Sequence, residues 1–253
     1  MAWVETSSLN FTARHEARQS DAILSALEEL EGYRTRLEAL FPRTPGNVTI
    51  VLHDSPLQLA VAQPYLTVAR RLASPASRRY MVSWFAQGEV HTLAPDVLRK
   101  LATGPGSLQA LLLTPQRAYT LLVVAVNNQL LPPPFRPSTL RNAIRFAWLL
   151  EGAGQYFSGQ LPHLRAAISR RLRESPPAFP PGIRDAALLG GALFDLLAVE
   201  RGVEACVQLA CQSEPAEPRS LLESAFGRPL EEVRPRWNEH LERLASPAVR
   251  QSR

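Results

Sequence analysis

Hydrophobic and polar positions divide the chain into three stretches. In the first, Phe11-Thr-Ala-Arg-His15 alternates weakly, as an edge strand does. Ser20 then stands as an N-cap for a helix over residues 21–40, with Ile23, Leu24, Leu27, Leu30, Leu37 and Leu40 on one stripe. Pro42, Pro45 and Gly46 stop it. Val48–His53 is a short, β-branched apolar run between turn residues, which predicts a buried strand. A short helix is expected near Pro56–Ala62, where Asp54 reads as a turn or cap residue. Residues 79–85 and Glu89–Leu93 then flank Ala86-Gln87-Gly88, the pattern of a β-hairpin.

The second and third stretches are helical. Residues 94–102 follow the hairpin, and Thr114-Pro115 supplies an N-cap with proline at the first helical position for a helix to about Leu130. That helix is apolar around most of its circumference from Leu121 to Val126, which places it in the core. After Pro132-Pro-Pro134, one helix is expected over residues 139–157. Beyond a turn-rich break at residues 175–182, helices are expected over 186–200, 203–212, 219–226 and 230–244. Residues 1–4 and 246–253 read as frayed ends. The expected fold is therefore α+β and mostly helical. An N-terminal α/β part (1–105), with a small mixed sheet and an edge hairpin, packs on a helical part (106–253) as one compact domain.

Composition narrows the class. With 45% apolar and 20% charged residues, a chain of 253 residues builds a core without a disulfide or a metal. Cys206 and Cys211, five apart in a helical stretch, do not share a helix face and read as ordinary buried thiols. The first eight residues carry no basic start and no apolar core, and no apolar run is long enough to span a bilayer, so a cytoplasmic protein without a membrane partner is expected. The net charge of +5 rests on arginine, since Lys100 is the only lysine. The arginines are scattered, however, and the densest group, Arg165, Arg170, Arg171 and Arg173, reads as a solvated helix face rather than a nucleic-acid stripe. No Gly-x-Ser-x-Gly elbow is present, and Gly104-Pro-Gly106-Ser107 lacks the ending of a phosphate-binding loop.

One segment is more specific than the rest: Ala147-Trp-Leu-Leu-Glu-Gly-Ala-Gly-Gln-Tyr-Phe-Ser-Gly159. It resembles the Trp-Leu-x-Glu-Gly-x-Ala-x-Tyr-Phe signature of the gluzincin zinc metallopeptidases. Glu151 stands at the position of that family's third zinc ligand. Gly152, Tyr156 and Phe157 match as well, while Gly154 stands where alanine is frequent. The order of elements from Phe11 to Gln212 is similar too, which implies a zincin-like fold with extra C-terminal helices. In this resemblance Glu89–Leu93 is the edge strand over the cleft, a place where an extended peptide adds by β-augmentation.

The departure from that family concerns chemistry. Zinc hydrolysis needs two imidazoles at i and i+4 on one helix face and a glutamate beside the first. Aligning that motif on the core helix puts Thr120 and Val124 at the histidines and Leu121 at the glutamate, and no histidine or acid occurs in the helix in any register. No metal, cofactor or catalytic residue is therefore expected. Glu151, Tyr156, Glu89 and His91 remain as cleft residues. Each also has a plainer reading: Glu151 pairs with Arg145, Arg141 or a more distant arginine, Tyr156 packs in the core, and Glu89 and His91 lie on an exposed sheet face. The resemblance implies a catalytically inactive, metallopeptidase-like protein that binds a peptide, protein or small ligand in a residual cleft. The alternatives are a hydrolase with an unorthodox site of Glu151, Glu89 and His91, and a purely structural or assembly protein.

Overall fold

The computed structural model describes residues 3–212, 214 and 216–246. Five strands, β1 (Trp3–Ser7), β2 (Phe11–Glu16), β3 (Val48–His53), β4 (Ser83–Ala86) and β5 (Glu89–Leu93), form one mixed sheet in the order β1-β2-β3-β5-β4. Strands β2, β3 and β5 run parallel, and β1 and β4 close the two edges antiparallel to their neighbours. Two expectations are corrected here. The edge next to β2 is β1, so Phe11–Glu16 is an interior strand, and Trp3 and Val4 are paired residues rather than a frayed end. Glu89–Leu93 is interior as well, held by β3 on one side and β4 on the other, so it is not the edge open to a peptide. The hairpin turns on Gln87 and Gly88, with Gly88 at φ +74°, which only glycine adopts without strain. Residues 1, 2 and 247–253 lie outside the described residues.

Four of the described α-helices lie between strands in the chain and ten follow β5. These are α1 (Ser20–Glu38), α2 (Pro56–Ala62), α3 (Pro64–Leu72), α4 (Pro75–Arg78), α5 (Pro95–Leu101), α6 (Pro105–Leu112) and α7 (Thr114–Asn127). They continue with α8 (Pro137–Arg145), α9 (Ala147–Phe157), α10 (Arg165–Glu174), α11 (Ala186–Arg201), α12 (Val203–Ala210), α13 (Pro218–Phe226) and α14 (Leu230–Ala245). Proline at the first turn recurs in α2 to α8, where its missing N–H has no intrahelical acceptor to lose. Ser55 caps α2 by accepting from Gln58 N, so the cap is Ser55 rather than Asp54. The single helix expected over 139–157 is two, because Phe146 leaves helical dihedrals at φ −105°, ψ 25°. Residues 79–82, expected to extend the hairpin, instead close α4 and lead into β4.

Helices α7, α9 and α11 make the centre of the molecule. Nearly all of α7 and of α11 up to Leu197 is buried, and α7 lies against the sheet, with the Tyr119 ring 5.1 Å from that of Phe11. Between α9 and α11 the backbones touch. A Cβ on Gly152 would sit 2.6 Å from the carbonyl oxygen of Gly190, so the glycine after Glu151 is there for close helix approach. Gln155, fully buried one turn on, donates to Ala186 O (3.1 Å) and accepts from Gly191 N (2.8 Å), tying α9 to the start of α11.

Candidate functional site: a cleft floored by an arginine–glutamate pair

Helix α9 presents Glu151 toward α7, and the small side of Gly154 sets the distance between the two helices. A Cβ on Gly154 would stand 2.8 Å from Leu121 Cδ2 and 3.2 Å from Arg117 Cγ. The α7 positions that face Glu151 are therefore Arg117 and Leu121, four residues apart on one face. Thr120 points the other way and hydrogen-bonds the Tyr33 hydroxyl of α1, and Val124 is buried without reaching the cleft. Of the three positions expected to face Glu151, only Leu121 does so.

Arg117 makes an ion pair with Glu151. Its side chain is 1% exposed, whereas the Glu151 side chain is 19% exposed and reaches the cleft. A second guanidinium nitrogen, Nη1, donates to Ser83 Oγ at 3.3 Å, and Nε has no partner. Burial lowers the Arg117 pKa to about 10, which still leaves the group a cation at neutral pH. Arg145, one of the partners expected for Glu151, pairs with Glu217 instead.

Above this pair lies an apolar cavity of about 110 Å³, walled by Tyr65 and Leu72 of α3, Trp84 and Phe85 of β4, Phe135, and Ile144 of α8. The aromatic rings form its mouth: Phe135 stacks on Trp84 at 5.2 Å and on Tyr65 at 6.0 Å. One side of the cavity is the free edge of the sheet. Leu93 N donates to Val82 O at 3.3 Å, and bonded positions alternate along an antiparallel pair. Trp84 and Ala86 therefore bond β5, while the backbone groups of Ser83 and Phe85 point away from it, in residues that are themselves buried. No described residue hydrogen-bonds to them.

The other expected site residues are elsewhere. Glu89 and His91 do not line the cavity that holds Glu151. Instead Glu89 Oε2 meets His91 Nε2 at 3.3 Å, and His91 Nδ1 meets His53 Nε2 at 3.1 Å, with the two imidazoles stacked at 5.4 Å. Burial and the neighbouring His91 lower the His53 pKa to about 4, and burial lowers that of His91 against the opposing pull of Glu89. The expectation of an exposed sheet face is corrected for His91, which is buried with His53. Tyr156 stands five residues from Glu151, about 140° round the helix. It packs edge-on to Phe157 at 5.1 Å and against Phe194, outside the cavity lining, with its pKa raised to about 12 by burial.

A zinc ion does not fit the residues facing Glu151, because a guanidinium is itself a cation and the Leu121 side chain has no donor atom. Among the described residues, no group of three or more His, Cys, Asp or Glu side chains is arranged to hold a metal. Nor is any described helix long and apolar enough to cross a membrane. Cys206 donates to Phe194 O at 3.2 Å, and burial pushes its pKa up to about 12 and that of Cys211 to about 11. Arg171 is no solvated-face residue: it is buried and holds Asp185 through two bonds of 2.7 and 2.6 Å. The residue that sequence reasoning missed is Arg117. Its signal was available, since it is the one charged residue in α7. Searches against family models, curated proteins and solved structures return no match to the chain.

Proposed function

We propose that the chain is a metallopeptidase-like binding protein without hydrolytic chemistry, and that its cleft takes an extended apolar peptide along β4. One observation carries the reading: a buried guanidinium, Arg117, stands opposite Glu151 at the floor of an apolar cleft. The gluzincin-like segment from Ala147 to Phe157 supports the kinship, since Glu151 keeps its place and Gly152 its close contact with α11. Where that family holds a metal ion against the glutamate, this chain supplies its own positive charge. The pair has no imidazole, no metal ligand set and no adjacent base to take a proton from water. An open apolar cavity favours a ligand over a purely structural role, and the separation of Glu151 from Glu89 and His91 argues against an unorthodox hydrolytic site.

The N–H and C=O groups of Ser83 and Phe85 that β5 does not use suit the main chain of a peptide that displaces the side chains covering this edge, with alternate peptide side chains entering the cavity. The test uses the capped peptide acetyl-Val-Leu-Phe-Leu-amide, with Trp84 fluorescence as the reporter and a Trp84→Phe control. Saturable binding without cleavage is expected. N-methylation of alternate peptide nitrogens is expected to weaken it by about tenfold or more, as the loss of one or two net hydrogen bonds implies. Cleavage of the peptide that disappears in Glu151→Gln would sink the reading, as would binding indifferent to N-methylation.

A further inference from the structure

On the far side of α3 from this cleft, α2 and α3 enclose a hollow of about 400 Å³ walled by Leu57, Leu59 and Leu66. Arg70, Arg71 and Arg78 line the same hollow, and no acidic residue does. Elsewhere buried or half-buried arginines meet carboxylates, as Arg34, Arg117, Arg171 and Arg228 do. These three do not. Arg70 Nη1 donates to Met81 O at 3.1 Å, and Arg78 donates through Nε to Ala73 O (3.0 Å) and through Nη2 to Arg71 O (3.2 Å). Carbonyls thus hold two of the side chains in place without neutralising them. Arg70 is half-buried, and both burial and the charge of Arg78 lower its pKa. A half-buried cation beside a second cation is costly unless an anion joins them.

The surface around the hollow is apolar where solvent would normally select polar residues. Leu57 and Val61, four apart on α2, are 73% and 76% exposed. The exposed stripe of α3, Tyr65, Val68 and Leu72, lies on the other face of that helix, where it lines the β4 cleft. The exposed apolar side chains of α2 therefore stand beside three guanidiniums that no described carboxylate meets. A nucleic-acid backbone would satisfy the charges but leave Leu57 and Val61 against water. A bilayer interface satisfies both, with phosphate at the arginines and acyl chains at Leu57 and Val61.

We propose that α2 and α3 dock on the surface of an anionic membrane, with a lipid phosphate held by Arg70, Arg71 and Arg78 and with Leu57 and Val61 inserted at the acyl boundary. No described helix crosses the bilayer, so the contact is peripheral and departs from the expectation of a protein without a membrane partner. The site is separate from the β4 cleft and does not depend on the function proposed for it.

The test is co-sedimentation of the full chain with vesicles of phosphatidylcholine alone, or with about one-third phosphatidylglycerol to supply the surface charge. Binding only to the anionic vesicles is expected. Arg70→Gln with Arg78→Gln is expected to weaken it roughly 30-fold, from about fivefold per arginine near the surface. Leu57→Ser with Val61→Ser, on side chains that stabilise little in the folded chain, is expected to abolish stable attachment. Arg170→Gln with Arg173→Gln removes the same charge from α10 and is expected to bind like the parent. Absence of binding to anionic vesicles overturns the proposal, as does equal loss in the α10 control, which would mean unspecific charge. Saturable binding of inorganic phosphate without any vesicle binding would assign the arginines to a free anion and overturn it too.

Discussion

Removing the charge of Glu151 while keeping its shape tests the cleft floor directly. In Glu151→Gln the Arg117 side chain stays 1% exposed and keeps Ser83 Oγ at 3.3 Å, but it loses its counter-charge. Breaking a buried ion pair at one end costs about 3–5 kcal/mol, because the remaining charge is left in a low-dielectric site. The glutamine oxygen still accepts a hydrogen bond, which argues for the lower end, about 3 kcal/mol. For a chain of this length, that lowers the melting temperature by about 6–12 °C, at roughly 2–4 °C per kcal/mol. Replacing both partners, as Arg117→Met with Glu151→Met, removes the buried charges together and is expected to leave stability within about 1 kcal/mol of the parent or above it. Urea unfolding of the parent, Arg117→Met, Glu151→Met and the double variant closes the cycle. A Glu151→Gln protein within about 0.5 kcal/mol of the parent, the range of ordinary surface changes, would refute the reasoning. The guanidinium would then be reached by water, and the cleft floor would not be a locked pair.

Three further outcomes follow from the same geometry. Arg117→His with Leu121→His places two imidazoles at i and i+4 opposite Glu151 and is expected to bind zinc near one equivalent by isothermal titration, whereas Thr120→His with Val124→His is not; zinc uptake by the second pair alone would show the facing register to be wrong. Gly152→Ala drives a Cβ to 2.6 Å from the Gly190 backbone and is expected to cost about 3 kcal/mol or more. Gly154→Ala meets side chains rather than backbone, Leu121 Cδ2 at 2.8 Å and Arg117 Cγ at 3.2 Å, and gains roughly 1 kcal/mol of helix propensity, so it costs less than Gly152→Ala, and equal losses in urea would refute the contrast. The low His53 pKa, about 4, means that between pH 6.5 and 4 the unfolded chain takes up a proton that the native chain does not. Stability from this group is therefore whole above pH 6.5 and falls by about 3 kcal/mol as the pH drops to 4. His53→Gln should flatten that part of the profile, and an unchanged slope would show that His53 protonates freely in the native state.

The helices were legible because their signals are local. The apolar runs of α11, α13 and α14 stop at glycine or serine, and proline marks the first turn of α7. The sheet order was not legible, because it depends on partners distant in sequence. Trp3–Ser7 has no buried side chain, so its alternation carries no apolar signal, and without it Phe11–Glu16 reads as an edge. The hairpin was visible, but not which of its strands joins β3; that choice is made by the pairing of Ile50 with Val90 and Val51 with His91. The facing register of α7 failed for a different reason. Nearly every residue of that helix is buried, so hydrophobic periodicity cannot tell the side facing α9 from the side facing α1.

Charge could have told them apart. A cation in an otherwise apolar, buried helix must be paired, and an acid in an otherwise apolar helix must be paired as well. Arg117 is the one charge in α7 and Glu151 the one charge in α9, so each is the other's most economical partner. That pairing alone rotates α7 to bring Arg117 and Leu121 onto the cleft and turns Thr120 toward Tyr33. It also fixes the electrical character of the floor. With one positive and one negative group, the site carries no net charge, and a ligand that brought a charge of its own into the apolar cavity would meet no compensating partner except by prising the pair apart. The Arg117 Nε–H is buried with the rest of its side chain and does not open onto the cavity, so the ligand that fits the floor best is neutral and apolar.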